Sequence, residues 1–434
     1  MALGGGTFLV QNKKLPGAYI NFQSLARADA TLSDRGIAAM PFELDWGEEG
    51  GVIEVTAEDF IKNSVKLFGY DYSHDKMRGF REVFKGARML YAYRLGTSTK
   101  AACTYADARY GGIRGNDIKV VVAKNVDDNS KYDVKTYLGT QLVDTQTVAA
   151  TSGLADNGFL VWKKSASLAV TAGTPLTGGE NATVTTADYQ TFLSAIESYS
   201  FNAIGIVSTT AAQNELITAF TKRLRDEHGV KFQCVVYNTA ADHEGCVNVA
   251  TAVTDDGESA AALCYWVTGI IAGCAVNKSN LNRVYDGEYT VDTNLTQTAL
   301  EAAITGGKFV LHKVGKEVRV LADINSLVNV TDEKGADFKE NQTVRVIDQI
   351  ANDIAVLFNT KYLGVVPNDA AGRVSLWADV VKYHGDMQAI RAITDFDDEK
   401  VTVAEGDTKK AVVLTEQIKP VNAMGQLYMT VTIE

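Results

Sequence analysis

Between residues 187 and 276 the sequence alternates helical and extended patterns, and this alternation constrains the fold more than any other feature. It predicts a helix over 187–199, a strand over 203–207, a helix over 211–228, strands over 231–237 and 245–250, and an apolar helix over 260–276. Strands separated by helices form a parallel sheet covered on both faces, because each crossover must lay its helix back on the sheet. The last segment, AAALCYWVTGIIAGCAV, contains a Gly269-x-x-x-Gly273 spacing and resembles a membrane span. It is shorter than the roughly 20 residues a bilayer needs. Its N-terminal flank carries Glu258 and Ser259, not Lys or Arg, so it is read as a buried core helix and no membrane insertion is expected.

The flanking segments differ in character. Residues 7–33 read as an extended arm: a short strand over 7–11, the break Leu15-Pro16-Gly17, then Ala18-Tyr19-Ile20-Asn21-Phe22. Residues 36–95 predict a compact α/β region with helices over 57–68 and 77–85 and a strand over 89–94, expected as a small layer of its own. From 118 to 170 the runs IKVVVAKN, YDVKTYL, TQLVDTQTV and GFLVWKK, with Gly139-Thr140 in hairpin position, predict an all-β module, closed by a Gly/Thr-rich boundary over 171–186. Towards the C-terminus a strand is expected over 317–321 and a helix over 344–358, where Val346, Ile347, Ile350, Ile354, Leu357 and Phe358 make one apolar face. In the final segment Leu427, Met429, Val431 and Ile433 alternate with Tyr428, Thr430, Thr432 and Glu434, the period of a half-buried strand. The resulting division is 1–35 arm, 36–98 α/β region, 99–180 β-sandwich, 181–325 α/β domain, 326–426 α+β C-terminal domain and 427–434 arm.

Composition excludes several function classes. The 434 residues carry a formal net charge of −11, a field that repels phosphate backbones and anionic lipid, so nucleic-acid binding is not expected. Five cysteines form no disulfide framework and fit a reducing cytoplasm, and MALGGGTFLV lacks the regions of a secretory signal. His243-Glu244 begins like a zinc-protease motif, but Val247 stands where the second histidine belongs. Cys234, His243 and Cys246 offer three ligands without a paired C-x-x-C, and are read as buried thiols and a surface loop histidine. Gly306-Gly307-Lys308 lacks the rest of a phosphate loop, and Gly111 to Gly115 precede a strand rather than open a helix. Asp395, Asp397, Asp398 and Glu399 lack the spacing of a calcium loop and are read as a solvated face. No catalytic, cofactor or metal site is expected.

Several blocks carry a resemblance. Leu15-Pro16-Gly17-Ala18-Tyr19-Ile20-Asn21-Phe22, Arg35-Gly36-Ile37-Ala38, Trp46-Gly47 and Tyr110-Gly111-Gly112-Ile113-Arg114-Gly115-Asn116-Asp117 are followed in order by Leu176-Thr177-Gly178-Gly179, Asp188-Tyr189 and Asp323-Ile324-Asn325-Ser326-Leu327. The series closes with Ile418-Lys419-Pro420-Val421-Asn422-Ala423-Met424 and Leu427-Tyr428-Met429-Thr430-Val431. Spread over nearly the whole chain, these blocks resemble the contractile tail sheath proteins of bacteriophages and R-type bacteriocins, of the type carried by Gram-positive prophages.

The resemblance implies an α/β multidomain fold with a subtilisin-like α/β domain, a β-sandwich insertion and terminal arms that add strands to neighbouring subunits. It implies a non-enzymatic subunit, assembled in the bacterial cytoplasm into a virion or bacteriocin tail, with itself, a tail tube protein, and baseplate and terminator proteins as partners. The implied action is mechanical: a strained extended sheath contracts and drives the tube through an envelope. Residues 18–22 and 427–433 would be the exchanged strands, although terminal strands also commonly tie down their own domain. Arg345, Asp348, Asn352 and Asp353, on the polar side of the 344–358 helix, would be candidates to face the tube. A related injection device, or an α/β enzyme with an unrecognised site, is the alternative.

Overall fold

The computed structural model describes residues 34–433. It begins with β1 (Ile37–Phe42), β2 (Val52–Thr56), α1 (Ala57–Phe68), α2 (Arg78–Phe84) and β3 (Met89–Arg94). Helix α1 starts where the Thr56 side chain accepts the Asp59 N–H, and stops at Gly69, whose φ of 80° suits a residue without Cβ. Phe42, Phe60 and Phe68 gather around Phe80 of α2 at centroid distances of 4.1, 5.5 and 4.3 Å.

The β-rich segment contains β4 (Ala106–Ala108), β5 (Ile118–Lys124), β6 (Tyr132–Leu138), β7 (Gln141–Val148), β8 (Leu160–Trp162) and β9 (Thr171–Pro175). One sheet has the order β7-β6-β5-β9, and β4 pairs with β8. Alternate residues Ile118, Val120 and Val122 of β5 are buried with Val134, Leu138, Leu160 and Trp162 in one core. The β6–β7 hairpin turns on Gly139-Thr140, with Leu138 paired to Gln141. Positive φ at Gly139 alone is the requirement of a type II′ turn.

Beyond it come α3 (Thr186–Ile196), β10 (Ala203–Gly205), α4 (Ala211–Lys222), β11 (Gln233–Tyr237), β12 (Cys246–Val249), α5 (Leu263–Gly273), α6 (Gln297–Thr305) and β13 (Lys308–Phe309). These join the first strands in one sheet of order β13-β12-β11-β10-β1-β3-β2. Every pairing is parallel except β2 with β3. The expectation that 36–98 is a separate layer is therefore corrected. Strand β1 is buried on both faces and lies inside the sheet: Ala38, Met40 and Phe42 pack with α2 and α5, and Ala39 packs with α3 and α4. A strand so apolar needs a neighbour on each side, and β10 supplies the second one.

Helix α5 is buried along almost its whole length. Its Gly269 and Gly273 lie against the backbone of Val83 and Gly86 at the end of α2, where a Cβ on either glycine would collide with a carbonyl oxygen. The glycine spacing thus serves close helix approach inside this core. Among the described residues no helix is long and apolar enough to cross a membrane.

Glu82 of α2 is fully buried, accepting from the Glu288 N–H and, at 3.0 Å, from the Tyr285 hydroxyl. Burial pushes its carboxyl up to about 7. A raised acid binds more protons in the folded than in the unfolded state between the two pKa values, so folding stability falls as pH rises from the ordinary carboxylate value towards 7. The expected loss is on the order of 2–3 kcal/mol. In Glu82→Gln this decline disappears from urea melts run between pH 5 and pH 8; a decline of equal size in the variant would assign it to other groups.

The remainder contains the hairpin β14 (Leu311–Val314) and β15 (Glu317–Val320), helices α7 (Asn341–Leu357) and α8 (Ala370–Ala389), and strands β16 (Ile393–Thr394), β17 (Thr402–Glu405), β18 (Val412–Thr415) and β19 (Lys419–Pro420). Val346, Ile350 and Leu357 of α7 meet Leu376, Val380, Tyr383 and Met387 of α8 in a separate core.

Candidate assembly surface

The polar side of α7 does not face outward. Arg345 donates to the Lys278 carbonyl at 2.7 Å and to Asp323 at 3.3 Å, and Asp348 accepts two N–H bonds from Arg225 at 2.7 and 2.8 Å. Asn352 donates to the Lys231 carbonyl at 2.8 Å, and Asp353 accepts from the Tyr383 hydroxyl at 2.8 Å. Arg345, Asp348 and Asp353 are buried. The reading of Arg345, Asp348, Asn352 and Asp353 as tube-facing is corrected on this ground: α8 covers the apolar side of α7 and Asp353, and the large sheet's domain covers Arg345, Asp348 and Asn352.

The seam continues as an ion network. Arg225 leaves a π turn, Arg223–Glu227, that follows α4, and also donates to the Phe232 carbonyl at 2.6 Å. Glu244 lies 3.7 Å from Arg225 and 3.0 Å from Lys334. Burial alone would raise the Glu244 carboxyl, but His243, Arg225 and Lys334 together hold it below its ordinary value. His243 is buried here rather than at the surface as expected, and burial lowers its imidazole despite Asp226 at 3.1 Å. Asp226, His243 and Glu244 bring ligand atoms within 4.8 Å of one another, yet Lys334 and Arg225 already supply the positive charge there. Cys234 and Cys246 sit in register on β11 and β12 and pack into the core beneath α4.

Chain order reverses between β1 and β10, and a crevice of about 390 Å³ opens at the carboxyl ends of these strands, where α/β enzymes place ligands. Among the described residues its lining includes Glu43, Ser208, Thr210, Gln213 and Tyr265, and neither histidine nor cysteine. The Ser208 hydroxyl is tied to Gln213, so no base stands ready to activate it.

The outward-facing features belong to the C-terminal domain. Strands β17 and β18 pair only with each other among the described residues, leaving two open edges. A groove of about 450 Å³ lies beside Val412 of β18, and another of about 340 Å³ beside Val403 of β17. Near them Leu363, Val365, Val374 and Val413 are exposed. The chain is held as far as Ala423, whose N–H goes to Gln342, and then runs free of its own body. Leu427 is 86% and Ile433 91% exposed, with Tyr428, Met429 and Val431 nearly as open. Residues 427–433 have no partner strand among the described residues, and residues 18–22 lie outside them.

Four family profiles cover the chain in succession: the tail sheath protein Gp18 domain III N-terminal region at 35–95, the phage tail sheath protein beta-sandwich domain at 95–181, the phage tail sheath protein central domain at 182–326 and the phage tail sheath C-terminal domain at 333–434. The chain is 31% identical to the phage-like element PBSX protein XkdK of Bacillus subtilis, covering 99% of this chain and 100% of that protein. The crystal structure of the sheath tail protein of Desulfitobacterium hafniense superposes with a TM-score of 0.83 at 36% identity, over 95% of this chain and 99% of that one. That of Listeria innocua does so at 0.80 and 32%, over 91% and 93%. These relatives are structural proteins, and theirs is not an enzyme family. The mixed α/β fold with its β-sandwich, the full-length identity and the four ordered domain matches agree: this chain belongs to the phage tail sheath protein family, of the Gram-positive prophage type, and is a component of a phage or phage-like contractile tail.

Proposed function

We propose that the chain polymerises as stacked rings around a tail tube in a strained, extended array, and that contraction of the array drives the tube through a bacterial envelope. In this reading it assembles in the host cytoplasm, grips the tube, and meets baseplate and terminator proteins at the ends. The boundaries at residues 35, 98, 180, 325 and 426, and a subtilisin-like layering of the large sheet, belong to the same reading. Structures of the anti-feeding prophage, as baseplate and as contracted helical sheath, have the same fold at 11 and 12% identity and a TM-score of 0.56. They support self-association and baseplate contact, in a phage or in a related injection device.

The observation that carries the proposal is an apolar, exposed arm that has no partner among the described residues, on a chain whose hairpin has two edges left open by those same residues. Such an edge accepts an extended segment through backbone hydrogen bonds, each contributing about 0.5–1.5 kcal/mol. Because the donor and acceptor surfaces lie on different parts of one subunit, the contact is head-to-tail and propagates into a filament. Arms of this kind tether neighbours while their rigid domains exchange one packing for another. With strands 18–22 and 427–433 as the exchanged elements, removing residues 1–21 or 427–434 is expected to abolish tubes and rings in negative-stain micrographs while circular dichroism stays unchanged. Polymers that persist after both deletions would refute arm exchange.

A further inference from the structure

We propose that the crevice at the carboxyl ends of β1 and β10 binds a neutral, hydroxyl-rich ligand, a sugar, through Glu43, Tyr189, Tyr265 and the start of α4. The site does not depend on the assembly proposed above.

The lining of this crevice carries hydrogen-bonding capacity that the fold leaves unused. Tyr189 is only 3% exposed and lines the crevice, yet its hydroxyl has no partner among the described residues. Buried polar groups are nearly always paired, and a phenylalanine would fill the same place without an unmet hydroxyl, so this oxygen is placed for a guest. The Tyr265 hydroxyl and the Glu43 carboxylate line the same space, and neither has a partner among the described residues. Burial, and then the charge of Glu43, push the Tyr189 hydroxyl up to about 12, and burial, Tyr189 and Glu43 push Tyr265 higher still. Both therefore remain protonated donors at neutral pH.

The start of α4 supplies further donors. Asn214 donates to the Ser208 and Tyr237 carbonyls at 3.2 and 3.0 Å, and the Ser208 hydroxyl accepts the Thr210 N–H at 2.9 Å, which fixes residues 208–210 against the sheet. The Thr210 side chain does not cap the helix, and the N–H groups of Ala211 and Ala212 have no acceptor among the described residues. The charge of the lining then selects the class of ligand. It contains one carboxylate and neither Lys nor Arg among the described residues, so an anion drawn to the helix start meets Glu43 without a counter-charge. A simple cation satisfies Glu43 but brings no acceptor for the tyrosine hydroxyls and the free N–H groups. Sugar hydroxyls donate and accept at once, giving protons to Glu43 and taking them from Tyr189, Tyr265 and the amides. The volume of about 390 Å³ lies in the range of small-ligand sites.

Saturation-transfer difference NMR on the full chain tests the site, with glucose, galactose, mannose and N-acetylglucosamine as probes and with inorganic phosphate and glycine as competitors. At least one sugar is expected to bind. Its affinity should fall about fivefold in Tyr189→Phe, which loses one neutral hydrogen bond, and about tenfold in Glu43→Gln, which loses bonds to a charge. Circular dichroism establishes that both variants keep the fold, and Tyr137→Phe, on the β-sandwich, is expected to bind as the wild type does. Phosphate and glycine at the sugar's own concentration are expected to leave its signal unchanged. Absence of binding by all four sugars overturns the proposal. A sugar whose affinity is the same in Tyr189→Phe and Glu43→Gln binds elsewhere and overturns the site, and displacement by phosphate or by glycine overturns the neutral class of ligand in favour of an anion or a zwitterion.

Discussion

Replacing Arg225 with methionine is expected to lower the folding stability of the isolated subunit by about 3–5 kcal/mol, the cost of leaving a buried charge without its partner. The side chains of Arg225 and Asp348 are 3% and 7% exposed, and their two hydrogen bonds join the large sheet's domain to α7. Methionine fills a similar volume but strands the Asp348 carboxylate and the Phe232 carbonyl. Glu244 keeps Lys334 and suffers less. The pair itself is not expected to contribute much net stability, since desolvation offsets its attraction and the Arg225 Nε has no acceptor among the described residues. Arg225→Met/Asp348→Leu should therefore recover most of the loss. Urea denaturation of the three variants measures both effects. A single-variant loss under about 1 kcal/mol would mean that water reaches the seam and screens it like a surface pair.

The second large effect is expected at Gly269. A valine there must push the Val83 backbone away, because its Cβ alone already overlaps the Val83 carbonyl. Overpacking a well-filled core costs about 1–3 kcal/mol, and a backbone obstacle places this site at or above the upper end. Gly273→Val meets the Gly86 carbonyl and should cost a similar amount, whereas Val267→Ile, which adds one methylene to a buried side chain of the same helix, serves as the control. Thermal melts in which Gly269→Val matches that control would show that α2 and α5 are not in close contact.

Much of the local structure was legible because its causes are local. The helix expected over 57–68 agrees with α1, whose cap Thr56 and stop Gly69 adjoin it in sequence, and β3, β5 and β6 were legible as short β-rich runs. What escaped depends on partners remote in sequence. Strand β1 was not assigned: buried on both faces, it shows no alternation, and nothing local names β10 as its neighbour. The polar side of α7 has the composition of a solvated face, and only Arg225 and Asp323, more than a hundred and some twenty residues away respectively, turn it into a seam. Helix α8 was not assigned at all: Gly372 and Gly385 interrupt it, and Asp379, Lys382 and Asp386 dilute the stripe of Leu376, Val380, Tyr383 and Met387. At residues 427–433 the period is visible, while no partner strand stands among the described residues.

The placement of β1 also bears on how a new chain folds. Ile37 reaches Asn202 across 165 residues, and the entire β-sandwich is inserted between β3 and β10. During synthesis the sandwich can close on its own contacts, but β1 and β3 must wait with one apolar edge unpaired until β10 emerges. Contacts this remote slow folding, and a waiting strand edge is a hazard for wrong association. The pairing at the centre of the sheet therefore cannot form until the whole sandwich has been made, and the time between the emergence of β3 and of β10 is when a nascent subunit is most exposed to joining the wrong chain.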